Sequence, residues 1–238
     1  MNAIPRKITP CPLINVIAEV RFGPALDPDA VWGILFSVFR HKFPKVVQLP
    51  LSEIPRQIRE SDKSLRFQPH YQMRNEHFIL QIGPRTLSLS VPSYPGWTVF
   101  RELLDEVLGN FGEAEVAKGI ERVSTRFINF FEKVNIFDNL QLSVRGEGML
   151  ADLPSSSFQI QSEKIESSVT EKLQVLNSAT VERSSESRQG SVVDVDIISL
   201  DVNLDDIMAK IDHCHDREKE LFFALLNPRF VDTLNPEY

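Results

Sequence analysis

The feature that most constrains the fold of this 238-residue sequence is a hydrophobic period of two between Gly119 and Phe131. Alternate side chains of an extended chain point to opposite sides, so Val123, Thr125, Phe127 and Asn129 share one face of this segment. A strand of this length with one mainly apolar face is stable only in a sheet whose apolar face is covered by other elements.

Three other segments repeat their apolar residues at the helical spacing of three and four. The first follows the N-cap and proline of Asp27-Pro28 and ends before Pro44. The second is expected to stop at Gly109 or Gly112, because glycine is favoured at helix ends. The third runs from about Leu204 to Leu226. These segments are the candidates for the elements that cover the sheet.

Shorter alternating segments supply further strands. The segment Pro12–Phe22 is rich in β-branched residues, and the turn Gly83-Pro84-Arg85 joins the clearest hairpin. Three more strands are predicted at Phe158–Ile165, Val169–Leu176 and Val192–Leu200. The order of elements predicts the α+β class, with an antiparallel sheet, in one piece or in two related halves, and about three main helices on one face.

We expect residues 1–238 to form a single α+β unit, and the alternative is a subdivision near 145–155. Serines are frequent after this point, and the segment Arg183–Gly190 is predicted to be a mobile loop.

Charge and composition disfavour several classes of function. The net charge is −7, and the segment Asp194–Glu220 contains nine acids and three bases. Binding of nucleic acid requires clustered Lys and Arg and is therefore disfavoured. No apolar run is long enough to span a membrane, and no apolar signal core is present at the start. Cys11 and Cys214 form no zinc pattern, so we expect a reducing cytoplasm and no cofactor.

The arginines of the long central strand are the main candidates for binding. Arg122 and Arg126 lie two strand steps apart on one face, and Arg21 of the first strand is a third candidate. Guanidinium groups in this arrangement can bind a phosphate, a carboxylate or an acidic partner through paired hydrogen bonds. The alternative is a structural role in ion pairs, for which the sequence offers Glu19, Glu121 and Glu132.

Asp194 and Asp196 are candidates for a metal site, because side chains at i and i+2 project from the same side of a strand. The same spacing suits a pair of carboxylates in acid–base catalysis. Alternation also predicts a simpler arrangement, in which Val193, Val195 and Ile197 point inward and the two acids face water. The sequence favours this second interpretation.

The stretch IDHCHDREKE, residues 211–220, concentrates residue types that bind metals. On a helix His213 and His215 lie about 200° apart and cannot bind one ion, and neither has a histidine or cysteine four residues away. Cys214 belongs to the apolar stripe. His215 borders this stripe, so we expect it to form a hydrogen bond where the helix meets the sheet.

Several stretches resemble a sporadically distributed family of uncharacterised prokaryotic proteins. They are Pro12–Phe22, Gln81–Trp97, Arg122–Asn129 and the last helix with His215 and Phe222. The most specific is the middle stretch, RVSTRFIN, which resembles the family's pattern of two arginines followed by an aromatic residue, isoleucine and asparagine. Family members often continue with a basic residue where this sequence has Phe130, so a basic extension of the site is not expected here.

The resemblance implies one α+β unit of this length and no particular activity. The sporadic distribution is typical of accessory genes in defence or toxin–antitoxin systems. The sequence contains no nucleotide-binding loop and no nucleophile motif. We therefore predict a non-enzymatic interaction or regulatory protein with a protein partner, and leave a homodimer open. The alternative is binding or hydrolysis of a phosphorylated or acidic small molecule through Arg21, Arg122, Arg126 and Asn129, with Asp194 and Asp196 as metal ligands.

Overall fold

The computed structural model of the protein describes residues 3–143, 147, 157–183 and 186–238. Within these residues the α+β prediction is confirmed: nine strands form an antiparallel sheet, accompanied by three main helices and two short ones. The strands are β1 (Leu13–Pro24), β2 (Lys45–Gln48), β3 (Tyr71–Arg74), β4 (Ile79–Gly83), β5 (Thr86–Val91), β6 (Ala117–Glu132), β7 (Gln159–Glu166), β8 (Val169–Arg183) and β9 (Glu186–Ser199). The helices are α1 (Pro28–Phe39), α2 (Arg56–Ser61), α3 (Trp97–Glu113), α4 (Ile207–Leu225) and α5 (Pro228–Thr233).

Hydrogen bonding arranges the strands in the order β2-β3-β4-β5-β1-β6-β9-β8-β7. The described residues group into two compact units that interleave along the chain. The first unit consists of Met1–Ile14, Arg126–Ile197 and His215–Tyr238, and the second consists of Asn15–Thr125 and Ile198–Cys214. The alternative subdivision near 145–155 lies, apart from residue 147, outside the described residues.

The core of the second unit lies between the apolar face of its strands and the helices α1 and α3. Phe22 of β1 meets Phe111 of α3 edge to face, with their ring centroids 5.0 Å apart. Helix α3 continues through Gly109 and Gly112 to Glu113, so the predicted stop at these glycines is wrong. Each glycine costs about 1 kcal/mol in a helix, which the burial of the large apolar residues of α3 outweighs.

Strands β2 and β3 are connected by residues 49–70, which we call the connecting segment. It contains a 3-10 turn at Pro50–Glu53 and the short helix α2. The backbone N–H of Leu49 donates to the carbonyl of His70 over 2.8 Å, and the N–H of His70 donates to the carbonyl of Ile82 over 2.9 Å. The two ends of the connecting segment are therefore hydrogen-bonded to each other, and its His70 end is bonded to β4.

The first unit has its core between β6 and α4. Phe127, Asn129 and Phe131 of β6 are buried, as the period of two predicts. The ring of Phe131 lies parallel to that of Phe222 on α4, with their centroids 6.5 Å apart.

No helix in the described part of the chain is long and apolar enough to cross a membrane.

The prediction of a mobile loop at Arg183–Gly190 is wrong for its second half. Strand β9 begins at Glu186, and the backbone N–H of Lys133 donates to the carbonyl of Gln189 over 2.9 Å. Gly190 lies so close to β6 that a Cβ atom there would be 2.2 Å from the carbonyl oxygen of Phe131. A paired strand therefore begins within the serine-rich stretch, where composition alone predicted a loop.

We expect Gly190→Ala to lower the free energy of unfolding by at least about 2 kcal/mol, because the added methyl group meets the backbone of β6, which cannot move without breaking the sheet. The matched control is Gly109→Ala on α3, where nothing lies within 4 Å of the new Cβ. This substitution should raise stability by roughly 0.5–1 kcal/mol. Urea denaturation of both variants is the measurement, and equal stability of the two would contradict the packing described for Gly190.

Candidate functional site

A cavity of about 180 Å³ opens in the second unit, between the start of α1, the connecting segment and the turn from β4 to β5. We call it the arginine cavity. Its charged lining residues are Asp27, Arg56, Arg59, Glu60, Arg66 and Arg85. Four arginines and two carboxylates give this lining an excess of positive charge, although the whole chain has a net charge of −7.

Arg56 binds both carboxylates of the lining. Its Nη1 lies 2.9 Å from Asp27 Oδ2, and its Nε lies 2.7 Å from Glu60 Oε1. The backbone N–H of Asp29 and the guanidinium of Arg56 lower the pKa of Asp27. The two ion pairs raise the pKa of Arg56. Arg56 thus pairs with both carboxylates of the lining, so neither is left to neutralise the other arginines of the cavity.

Arg59 and Arg66 have no carboxylate partner among the described residues. Nη1 of Arg59 lies 2.6 Å from both ring nitrogens of His70, and its buried Nε has no hydrogen-bond partner. The guanidinium of Arg66 lies over the ring of Phe67, 5.7 Å from its centroid. Arg85 is held more loosely, with Nη1 3.6 Å from Oε1 of Glu121 outside the cavity. The cavity therefore contains two guanidinium groups that no carboxylate of the described residues neutralises.

His70 is neutral in this environment. Burial and the positive charge of Arg59 together lower its pKa to about 4, against the opposing effect of the nearby Asp29. A neutral imidazole can accept a hydrogen bond from Arg59 and adds no third positive charge. With so low a pKa it is also a weak base at neutral pH, so it suits binding better than proton transfer.

The arginine cavity was not predicted from the sequence. Helix α2 is only six residues long and has no buried residue, so it shows no apolar stripe. The available signal was the spacing of Arg56 and Arg59, since residues three apart lie on the same face of a helix. Their convergence with Arg66 and Arg85 depends on how the connecting segment folds back.

The two predicted arginines of the second unit, Arg21 and Arg122, do not line this cavity. Arg21 Nε is 2.7 Å and Arg122 Nη2 is 2.8 Å from the same oxygen, Oε1 of Glu19. Arg21 also lies over the ring of Phe67, 4.8 Å from its centroid, so this ring contacts both Arg21 and the cavity residue Arg66. Arg21 and Arg122 form the kind of ion pair that the structural alternative proposed.

The third predicted arginine, Arg126, belongs to the first unit and binds Asp194 through two nitrogens. Its Nε lies 2.9 Å from Oδ1, and its Nη2 lies 2.5 Å from Oδ2. Asp194 is 8% exposed, so the expectation that this acid faces water is wrong. Arg126 covers it and compensates its charge, so Asp194 acts as a counter-ion. Asn129 is buried and donates to the carbonyl of Val193 over 3.3 Å.

Asp194 and Asp196 also line a polar groove of about 430 Å³ in the first unit, together with Arg126. Among the described residues no group of three or more His, Cys, Asp and Glu side chains is arranged to bind a metal ion. Opposite charges face each other across β7 and β8 in this groove, where Lys172 lies 3.3 Å from Glu163. The described ion pairs in the groove thus form between side chains that both line it.

The sequence stretch 211–220 lies on α4, as predicted. Cys214 is fully buried in the apolar stripe, and Cys11 is exposed. The ring of His215 lies 5.8 Å from that of Phe127, and its Nδ1 lies 3.1 Å from Oδ1 of Asp216. His215 thus lies beside β6, whereas its described hydrogen bond goes to a residue of its own helix, and the predicted hydrogen bond to the sheet stays a prediction.

In the same stretch one acid is paired with an arginine and another is buried. Asp212 accepts two hydrogen bonds from Arg101, each 2.7 Å long. Glu218 is 5% exposed, and burial raises its pKa to about 8.

A scan of the sequence against protein-family models and a search of curated proteins both find no match. The resemblance noted from the sequence therefore stays a prediction, and the geometry of the two units is the basis for assigning a function.

A structural role for the pair of Arg126 and Asp194 predicts strong coupling between them. Arg126→Gln leaves a buried carboxylate unpaired and should lower the free energy of unfolding by about 3 kcal/mol. Asp194→Asn leaves the half-exposed guanidinium to water and should cost about 1–2 kcal/mol. The double variant should lose less unfolding free energy than the two single variants lose together, because it leaves neither charge unpaired.

The measurement is a double-mutant cycle by urea denaturation, with the exposed pair Lys164 and Glu166 as the control. Removing Lys164 by substitution with Gln should leave stability unchanged within error. A coupling energy below about 0.5 kcal/mol between Arg126 and Asp194 would contradict the structural role.

The pKa of His70 predicts a loss of stability in mild acid. His70 has a pKa of about 4 in the folded protein, whereas histidine in an unfolded chain has a pKa of about 6.5. The unfolded chain therefore takes up this proton first, and stability present above pH 6.5 is lost as the pH falls towards 4. Allowing for its partial exposure to solvent, we expect His70 to account for roughly 1–2 kcal/mol.

Urea denaturation of the wild type and His70→Gln at pH 7 and pH 4.5 measures this loss. Other groups that titrate in the same range affect both proteins equally. The difference between the two losses of stability therefore reports the contribution of His70. The exposed His77, replaced by Gln, serves as the control. An equal loss of stability in the wild type and His70→Gln would refute the assignment.

Proposed function

We propose that this chain is a non-enzymatic binding protein whose arginine cavity binds the acidic group of a small molecule. The observation that carries the proposal is the pair Arg59 and Arg66, two guanidinium groups that line one cavity and have no carboxylate partner among the described residues. This is the acidic-ligand alternative predicted from the sequence, at a different set of arginines.

The energetics of Arg59 support an anion in the cavity. A buried donor without a partner costs about 1–3 kcal/mol, and the Nε of Arg59 is such a donor. An oxyanion can accept from several N–H groups of a guanidinium at once, which strengthens the interaction and sets its geometry. The start of α1 lies beside the same cavity, where its N-cap Asp27 already accepts from the N–H of Asp29. A bound anion would supply acceptors for the guanidinium of Arg59.

The lining favours binding over catalysis. Asp27 and Glu60 are both held by Arg56, and His70 is a weak base. A general base must be free to take a proton at the working pH. We therefore assign these groups to positioning the arginines and give them no role in proton transfer.

An interaction or regulatory role remains our wider proposal, since a binding protein without catalysis acts through a partner. The resemblance to a sporadically distributed prokaryotic family supports an accessory role in a defence or toxin–antitoxin system in the cytoplasm. The acidic ligand would then be the signal that such a regulator senses.

Inorganic phosphate, compared with sodium chloride at equal ionic strength, tests the proposal by thermal denaturation and calorimetry. Ligand bound only to the folded state raises the melting temperature as its concentration exceeds the dissociation constant. We expect such a rise for the wild type, and we expect Arg59→Gln and Arg66→Gln each to weaken phosphate binding about tenfold or more, because each removes a charge-assisted contact worth about 1.5–3 kcal/mol.

The matched control is Arg40→Gln. Arg40 is exposed at the end of α1 opposite to the cavity and belongs to the same unit. Its substitution should leave phosphate binding unchanged. The proposal fails if phosphate does not stabilise the wild type, or if the double variant of Arg59 and Arg66 binds phosphate as the wild type does.

A further inference from the structure

A second, smaller cavity of about 80 Å³ adjoins the arginine cavity. Arg59 and His70 line both of them. One small molecule can therefore occupy the two cavities together, with one end in each. The residues that distinguish the second cavity are Asp29, Trp32, Ser52 and Tyr71.

The second cavity offers hydrogen-bond acceptors to a ligand. Asp29 forms no ion pair within the described part of the chain, so its carboxylate is available as an acceptor. The hydroxyl of Ser52 donates to the carbonyl of Leu49 over 2.5 Å, which leaves its oxygen as an acceptor. Asp29 and Ser52 can therefore accept from a donor group of a ligand, such as an ammonium or a hydroxyl group, while Arg59 supplies donors on the side shared with the arginine cavity.

The walls of the second cavity are rigid. Trp32 and Tyr71 stack with their ring centroids 3.8 Å apart and their planes at 9°. Stacked rings of this size have few rotamers to adopt, so the cavity cannot widen without separating them. The ligand group that fits beside them is small.

The charge of the arginine cavity indicates how much negative charge the ligand carries. Arg59 and Arg66 are the two cations without a carboxylate partner among the described residues. A carboxylate neutralises one of them. A phosphoryl group carries a charge of about −1.5 to −2 at pH 7 and has three acceptor oxygens, so it matches both.

We propose that the ligand is a small phosphate monoester whose other end carries an ammonium or hydroxyl group. The phosphoryl group binds Arg59 and Arg66 in the arginine cavity, and the donor group binds Asp29 in the second cavity. This inference rests on the proposed function and adds the chemical class of the ligand. The two cavity volumes, about 180 and 80 Å³, restrict the ligand to a short chain between its two ends.

Four probes test the inference by calorimetry: inorganic phosphate, propyl phosphate, phosphoethanolamine and glycerol phosphate. Propyl phosphate has no donor at its far end and is the reference for the other two esters. We expect phosphoethanolamine, glycerol phosphate or both to bind at least about tenfold more tightly than propyl phosphate, since a charge-assisted hydrogen bond contributes about 1.5–3 kcal/mol. A preference for phosphoethanolamine identifies the donor as ammonium, and a preference for glycerol phosphate identifies it as hydroxyl.

The variant Asp29→Asn removes the negative charge and retains the shape of the side chain. It should abolish the preference over propyl phosphate and leave the affinity for inorganic phosphate unchanged, which also shows that the variant is folded. Asp105→Asn, an exposed aspartate on α3, is the matched control and should change neither affinity.

The possible outcomes separate the two proposals. If inorganic phosphate binds but the three esters bind equally well, or if Asp29→Asn retains the preference, the ligand class is wrong and the anion-binding function stands. If the wild type binds none of the four probes, the proposed function fails as well.

Discussion

The distribution of carboxylates among the arginines determines the electrostatics of both units. In the second unit one arginine, Arg56, holds two acids, while Glu19 is shared by two arginines. A carboxylate that is already engaged cannot neutralise another guanidinium nearby. Arg59 and Arg66 are therefore left without a carboxylate partner in the described part of the chain. The candidate site depends on this imbalance between arginines and available carboxylates.

The imbalance is maintained by the fold of the connecting segment. Its two ends are hydrogen-bonded to each other and its His70 end to β4, and Phe67 within it contacts both Arg21 and Arg66. These contacts hold positive charges close together, which is unfavourable unless a counter-ion is present. A buried donor without a partner, such as Nε of Arg59, lowers stability, and a bound anion would satisfy it. In the first unit, by contrast, Arg126 is compensated by the nearly buried Asp194.

Much of the fold could be predicted because it depends on local patterns. The period of two around Phe127 and the helical stripe around Leu104 each require one buried face, and the structure buries those faces. The extent of elements was less predictable. Helix α3 passes through two glycines, and β9 begins within a serine-rich stretch because Gly190 packs against β6. In both places tertiary packing outweighed local preference.

By itself the sequence determined the α+β class, the buried face of β6 and the burial of Cys214, since each follows from the periodicity of apolar residues. It also showed that strand arginines have several possible carboxylate partners. Only the tertiary structure decided which partner each arginine has, because ion pairs form between residues distant in the chain, such as Glu19 and Arg122. For the same reason the arginine cavity became apparent only in three dimensions: three of its four guanidinium groups come from a segment without periodicity, and their proximity to Arg85 depends on how that segment folds back onto the sheet.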